Sequence, residues 1–271
     1  MLKQRIITAL ILIPIVIGGL FFLPFPQFAI FISVFMLAAA WEFAPLMGWR
    51  DWPKRLLYLV IIAVLLALGF IRQNDAFIEN VLIGSSIFWL IALALVMAYP
   101  KSSRYWANPL SRALMGIFVI VPTFLALLYL KSLADSHLWL IFLLLLIWGA
   151  DTGAYFAGRR FGRRKLAAAV SPGKSWEGVF GGLALTLVVA IVIGWANWFP
   201  QMAIWQLVLL TLVVVPISVL GDLFESMLKR FTDIKDSGNL LPGHGGVLDR
   251  IDSLTAAAPI FALSLIWLIG A

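Results

Sequence analysis

A polar segment near the C-terminus, GDLFESMLKRF at residues 221–231, places acidic and basic side chains on one side of a predicted helix. At 100° per residue, Asp222, Ser226 and Lys229 fall within about 60° of one another, with Glu225 beside them and the apolar side chains opposite. A carboxylate at the edge of an apolar layer is costly unless it faces a cavity or the interior of a helix bundle. The pattern therefore predicts a functional site at Asp222 and Glu225, although solvation just outside the apolar layer would also explain both acids.

The loop that follows, LLPGHGGVLDRID at residues 240–252, combines glycines with a histidine and two further acids. Three glycines flank His244 and allow the backbone to come close to a ligand, so that several N–H groups can point at an anion. Asp249 and Asp252 are spaced i, i+3 at the predicted start of the last helix. Asp252 alone could equally be a helix N-cap, but that role does not account for Asp249, His244 and the glycines together.

Carboxylates from two segments, with nearby cations and a flexible glycine loop, suit a site that holds a divalent metal and a polyphosphate. Phosphoryl and nucleotidyl transfer depend on charge neutralisation and alignment, which carboxylate-bound Mg²⁺ with Lys and Arg can supply. The chain has no cysteine and only two histidines, so a metal here should be hard and bound by oxygen. The residue types thus predict a reaction class.

A second polar segment, DTGAYFAGRRFGRRKLAAAVSPGKSWEG, begins at Asp151 and fits as a partner of the first. Lys174 and Ser175 lie in a turn-prone SPGKS. The GKS triplet is not a phosphate-binding P-loop, because Ala168 stands at the first glycine position and no strand is predicted before it. The basic residues of 159–165 either contact anionic lipid headgroups or only set the membrane topology.

The composition requires that these segments be positioned by membrane-spanning helices. The chain is 63% hydrophobic and 12% charged, far from a soluble domain, and it predicts an all-α polytopic membrane protein of about nine spans. They are placed at 6–23, 28–47, 56–71, 81–99, 111–130, 137–156, 178–198, 203–221 and 254–270. Residues 1–135 hold five spans, and residues 136–271 hold four with cytoplasmic catalytic loops 157–177 and 222–253, within one membrane domain.

The distribution of basic residues predicts the orientation. With the N-terminus in the cytoplasm, all of the 20 lysines and arginines except Arg72 and Lys131 fall on the inner side, as the positive-inside rule requires. The C-terminus is then outside and the active site faces the cytoplasm, most simply across a bacterial inner membrane. The net charge of +7 is explained by topology, so no nucleic-acid partner is expected.

Residues 226–252 resemble the signature of phosphatidate cytidylyltransferases, the CDP-diacylglycerol synthases. The fixed positions of that signature are met by Ser226, Lys229, Arg230, Lys235, Asp236, His244, Gly245, Gly246, Asp249, Arg250 and Asp252. The upstream DTGAYFAGRRFG and SPGKSWEG are also similar to that family, so the resemblance extends over roughly residues 145–260.

The resemblance implies transfer of cytidylate from CTP to phosphatidic acid, with CDP-diacylglycerol and pyrophosphate as products and Mg²⁺ required. It implies a dinuclear metal site at Asp222 and Asp249 and identifies Lys229 as the signature lysine; His244 is expected to orient phosphate. The remaining substrate-binding positions are Asp151, Lys174, Ser175, Ser226, Arg230, Lys235, Asp236, Gly245, Gly246 and Arg250. Membrane lipids are further partners, and a homodimer is possible.

Other interpretations remain open. A CTP-dependent polyprenol or phytol kinase would share some of the C-terminal character, and an ion-coupled transporter could use the acids as a cation path. CDP-alcohol phosphotransferases are excluded, because no aspartate here precedes a glycine as their motif requires. Glu42, near the inner end of the second span, either lines the same cavity or reaches out to the membrane interface, and the interface is the favoured interpretation.

Overall fold

A computed structural model describes residues 2–270, except for the side chains of residues 2–7, 9 and 11–13. Lys3 and Arg5, which contribute to the orientation argument, fall among those side chains. The elements are α1 (Leu2–Phe22), α2 (Phe25–Leu46), α3 (Trp52–Ile71), α4 (Asp75–Met97), α5 (Ser103–Trp106), α6 (Pro109–Ser132), α7 (Ser136–Phe161), β1 (Lys165–Ala167), β2 (Ser171–Ser175), α8 (Trp176–Trp195), α9 (Ile204–Thr232) and α10 (Leu248–Ile269).

The helical, multi-span architecture predicted from composition is confirmed. Within the described residues, eight helices are long and apolar enough to cross a membrane: α2, α3, α4 and α6 to α10. Helices form because the bilayer offers no water to backbone N–H and C=O groups, which must pair within the segment. The remaining predicted span, 6–23, coincides with α1, and most side chains of the first three turns of α1 are among those that the structure does not describe.

Two helices continue well past the ends predicted from hydropathy. α7 ends at Phe161 instead of 156, and α9 ends at Thr232 instead of 221. The extension of α9 is stabilised by burial of its apolar face, which includes Leu223, Phe224 and Met227. The segments 157–177 and 222–253 therefore contain helical turns as well as loops, and helical geometry fixes the polar side chains of 222–229.

A short antiparallel hairpin connects α7 to α8, although the sequence predicts no strand there. β1 pairs with β2 through Lys165 opposite Ser175 and Ala167 opposite Ser171. Strand β2 is the segment SPGKS, so the predicted turn is extended backbone. Its position next to α8 brings Lys174 toward Asp222 in the C-terminal part of α9.

The most enclosed helices are α6 and α10, which form the centre of the bundle. α10 packs against α9, α6 and α4, while α3 and α8 expose most of their apolar surface, as expected of helices that face lipid. Inside the bundle, the Thr123 hydroxyl donates to the Thr255 carbonyl at 3.0 Å and joins α6 to α10. The two central helices thus fix the position of the glycine loop that precedes α10.

Small residues let α7 and α8 pack almost backbone to backbone. A Cβ at Gly153 would lie 2.6 Å from the Gly181 carbonyl oxygen, and a Cβ at Gly182 would lie 2.5 Å from the Ala150 carbonyl oxygen. Helices in membranes associate through such close contacts, because lipid supplies no hydrophobic force between them. The α7–α8 pair carries Asp151 within α7 and Ser175 at the N-terminus of α8.

Gly182→Ala should lower the stability of the fold, because its Cβ would meet rigid backbone. We expect a loss of about 1–3 kcal/mol in the free energy of unfolding, measured as a lower thermal midpoint of the detergent-purified protein. Gly84→Ala is the matched control, since a Cβ at Gly84 meets nothing within 4 Å and alanine favours a helix. Equal midpoints for the two variants would contradict the close α7–α8 contact.

Candidate active site

The C-terminal end of α9 carries the first group of predicted site residues on one face. The Ser226 hydroxyl donates to Asp222 Oδ1 at 3.2 Å, one helical turn away. Glu225 is buried and lies 3.1 Å from the Lys229 ammonium. The same-face arrangement predicted from the 3.6-residue period is therefore present.

Lys229 joins α9 to α10. Its Nζ lies 2.7 Å from Asp249 Oδ1 as well as 3.1 Å from Glu225 Oε1, and all three side chains are largely buried. Asp249 sits in the first turn of α10. Its Oδ2 accepts from the backbone N–H of Gly246 at 2.8 Å and of Ser237 at 3.0 Å. Asp249 thus holds the glycine loop and Lys229 together.

The hairpin supplies a second lysine to the site. Lys174 Nζ lies 2.5 Å from Asp222 Oδ2, and both side chains are partly exposed. Asp151, on α7, is within electrostatic range of Lys174 and Asp222. The structure therefore brings together acids and bases from α7, β2 and α9, three segments that are separate in the chain.

Two predicted substrate-binding residues have structural contacts of their own. The buried Ser175 hydroxyl accepts from the Gly178 N–H at 3.2 Å and caps the N-terminus of α8. The Arg230 guanidinium donates through Nε to the Val170 carbonyl at 3.3 Å, which ties α9 to the turn between the two strands. Their role in substrate binding stays a prediction.

The glycine loop is a tight turn with two residues in the left-handed region. Gly243 and Gly245 have φ of 78° and 83°, a conformation that side chains disfavour. The Leu241 N–H donates to the Gly245 carbonyl at 3.0 Å and closes the turn. His244 Nδ1 is buried without a hydrogen-bond partner among the described residues.

The remaining signature residues differ in position. Lys235, Asp236 and Arg250 are exposed, and Arg250 Nε donates to the His244 carbonyl at 3.1 Å. Asp252 is not the N-cap of α10, because Val247 holds that position. It lies instead within electrostatic range of Asp222 and Lys174, which form one ion pair, and of Lys229, which belongs to the other charged group.

Glu42 was not assigned to the site, and the favoured interface interpretation is wrong. Its side chain is buried and accepts from the Leu248 N–H at 2.9 Å. Hydropathy could not reveal this contact, because the two residues are 206 positions apart in the chain. An acid near the inner end of a span was the only available signal.

The carboxylates fit a hard cation by their chemistry. In the part of the chain that the structure describes, no three His, Asp or Glu side chains are placed to enclose a metal ion as they stand. Lysine ammonium groups contact the two predicted ligands, Asp222 and Asp249, which shows that both carboxylates are arranged to hold positive charge. Asp151, Glu225 and Asp252 add further carboxyl groups near those lysines, and such oxygen donors suit Mg²⁺.

Comparison with known proteins gives one consistent result. A family model described as "Cytidylyltransferase family" matches residues 3–268. A phosphatidate cytidylyltransferase of Pseudomonas aeruginosa is 47% identical over 271 residues, covering 100% of this chain and 98% of the relative. One of Haemophilus influenzae is 40% identical over 282 aligned positions, covering 97% and 98%. One of Bacillus subtilis is 45% identical over 129 residues, about half of each chain.

The environments of the two predicted metal ligands differ, so their amide variants should differ in stability. Asp249→Asn replaces the charged partner of the buried Lys229 by a neutral one and removes one acceptor for the loop N–H groups. We therefore expect a loss of about 3 kcal/mol in the free energy of unfolding. Asp222→Asn breaks a partly exposed pair and should cost under about 1 kcal/mol. Tryptophan fluorescence during thermal unfolding in detergent measures both, and equal shifts would contradict the assigned environments.

Proposed function

Since the chain belongs to the cytidylyltransferase family, we propose that it transfers cytidylate from CTP to phosphatidate and releases pyrophosphate. The observation that carries this function is similarity over nearly the whole length of two phosphatidate cytidylyltransferases. The site agrees with it, because lysines and carboxylates from three segments converge at the inner end of α9. The product, CDP-diacylglycerol, places the enzyme in phospholipid biosynthesis.

The reaction is a displacement at the α-phosphorus of CTP. A phosphatidate phosphate oxygen forms the new bond to that phosphorus, and the bond to the oxygen that bridges the α- and β-phosphates breaks, so pyrophosphate leaves with the electron pair. Phosphatidate is already an adequate nucleophile near neutral pH, so no strong general base is needed. The protein has to hold two anionic substrates together and neutralise the leaving group.

The lysines are placed to do this neutralisation. Lys229 and Lys174 each contact a carboxylate, and in the reaction they contact the phosphates of CTP and the departing pyrophosphate. His244, whose buried Nδ1 lacks a partner among the described residues, orients a phosphate group. The exposed Lys235 and Arg250 add positive charge where CTP enters from solution.

Mg²⁺ is the proposed cofactor, and Asp222 and Asp249 are its proposed ligands. When bound, the metal neutralises phosphate oxygens and favours attack at the α-phosphorus. The support is the donor chemistry: both residues carry hard oxygen donors in a cluster where acids outnumber the paired lysines. Binding at Asp222 would require Lys174 to move from the carboxylate to a phosphate.

An apolar pocket provides a surface for the lipid part of phosphatidate. It has a volume of about 100 Å³ and lies among α1, α2, α6, α7 and α10, with Ile251 and Leu254 in its lining. These two residues alternate on α10 with the acids of the site, so apolar and charged surfaces adjoin at the start of this helix. A substrate with acyl chains and a phosphate headgroup matches that combination.

The finer topology is also a proposal. Nine spans, with the N-terminus in the cytoplasm and the C-terminus outside, account for the charge distribution between the loops. The site then faces the compartment that contains CTP, across a bacterial inner membrane. A homodimer stays a prediction that no contact in the structure supports.

Labelled CTP distinguishes the proposed activity from that of a lipid kinase. With phosphatidate, Mg²⁺ and α-³²P-CTP, we expect the label to enter the lipid, whereas γ-³²P should leave as pyrophosphate. A polyprenol kinase would transfer the γ-label instead, to a polyprenol. Transfer of the γ-label, or an ion flux in liposomes without nucleotide, would contradict the proposed function. Undiminished activity after metal chelation would contradict the proposed requirement for Mg²⁺.

The assigned ligands can be tested in the same assay. Asp222→Asn and Asp249→Asn should insert into the membrane normally but lose at least about 100-fold in cytidylate transfer per folded molecule, since the charge that holds the metal is removed. Raised Mg²⁺ should recover part of the activity of a weakened site. Wild-type turnover in either purified variant would overturn its assignment as a ligand.

The orientation can be tested with single cysteines, because the natural chain has none. Lys101 and Gln201 are exposed residues in loops at opposite ends of the bundle. We expect a membrane-impermeant thiol reagent added to intact cells to label Gln201→Cys and to label Lys101→Cys only after lysis. The reverse pattern would invert the proposed topology.

A further inference from the structure

Glu42 is a buried carboxylate that the proposed chemistry does not use. It lies on α2, in the N-terminal half of the chain, and is 1% exposed. Its Oε2 accepts from the Leu248 N–H at 2.9 Å and lies 3.4 Å from the Ser237 hydroxyl. Both partners belong to the loop-and-helix segment 237–248, so one acid from α2 contacts this segment near its two ends.

The contact with Leu248 is favourable for two reasons. Leu248 is the first residue of α10, and the N–H groups of a first helical turn have no partner within the helix. A carboxylate at this end also interacts favourably with the helix dipole. Arg55 on α3 is within electrostatic range of Glu42 and further compensates its buried charge.

Two glycines of the loop leave space for the Glu42 side chain. A Cβ at Gly238 would overlap Oε1 and lie 2.6 Å from the Glu42 Cδ. A Cβ at Gly246 would overlap the Ser237 hydroxyl and would lie 2.5 Å from Oε2. Neither glycine has a positive φ, unlike Gly243 and Gly245, so the absence of a side chain at 238 and 246 is explained by this close approach.

The same segment holds the site on its other side. The N–H groups of Ser237 and Gly246 donate to Asp249, which contacts Lys229. Glu42 and Asp249 therefore both hold the segment 237–248, through neighbouring groups of Ser237 and of residues 246–248. A displacement of the segment on the Glu42 side would move the donors that fix Asp249.

We propose that Glu42 is a positioning residue for cytidylate transfer: it anchors the glycine loop and the first turn of α10 so that Asp249 and Lys229 are correctly placed. This inference rests on the proposed function. Glu42 acts through the loop and does not contact the substrates. The N-terminal half of the chain thus contributes to the active site through this anchor. It makes a second contact with the same loop, because the Thr8 hydroxyl on α1 donates to the Pro242 carbonyl at 2.8 Å.

Kinetics of Glu42 variants provide the first test. Glu42→Ala should lower kcat per folded molecule by about 10- to 100-fold, with a smaller change in the KM for CTP, because catalytic groups are displaced while exposed cations still bind nucleotide. Glu42→Gln retains an acceptor for the Leu248 N–H and should retain more activity than Glu42→Ala. Glu79→Gln is the matched control. Glu79 accepts from Trp267 near the C-terminal end of α10, whereas the loop lies at the N-terminal end of that helix, so the kcat of this variant should be unchanged.

A double-mutant cycle tests the contact itself. In the wild-type background, Gly238→Ala should reduce kcat by at least about tenfold, because the new methyl group overlaps Glu42. In the Glu42→Ala background, where that space is free, the reduction should be less than about twofold. A merely structural role would lower the thermal midpoint and leave the kcat of the folded fraction unchanged. Such an unchanged kcat, or an equal penalty from Gly238→Ala in both backgrounds, overturns the proposal.

Failure of the proposed function is separately recognisable. If the wild-type protein does not transfer cytidylate at all, the assignment of the activity fails. The thermal midpoints of the same four proteins then test the anchor. A Gly238→Ala penalty that disappears in Glu42→Ala supports the anchoring contact, and a penalty that persists overturns it.

Discussion

The candidate active site depends on compensation of buried charge around Lys229. Its ammonium lies between Glu225 on its own helix and Asp249 on α10. Charges taken from water are tolerated only when they are paired and hydrogen-bonded, so each member of this group restricts the position of the other two. α9 and α10 are thereby held in one register where they leave the apolar layer.

Close packing of these two helices makes the charge cluster compact. A Cβ at Gly221 would lie 2.5 Å from the Asp252 carbonyl oxygen, so a larger residue would separate α9 from α10 next to the site. The approach also brings Asp252 near Asp222. Carboxylates gathered in this way are the oxygen donors that suit the proposed Mg²⁺.

The site is assembled from parts of the chain that are separate in sequence. The hairpin reaches α9 through Lys174 and Arg230, and the glycine loop is held between Glu42 and Asp249. None of these polar segments is long enough for a core of its own. They are ordered because the apolar helices on either side are fixed by the bundle, which leaves only short connections to be ordered.

The sequence by itself determined the membrane class, the approximate spans and the face of α9 that bears Asp222, Ser226 and Lys229. These follow from hydropathy and helical period, which act within one segment. Only the tertiary structure decided which acid meets which base: that Asp249 meets Lys229, that Asp252 is not an N-cap, and that Glu42 is buried against Leu248. Such contacts join residues far apart in the chain, and their geometry depends on how the helices pack. The local sequence carries no direct information about that packing.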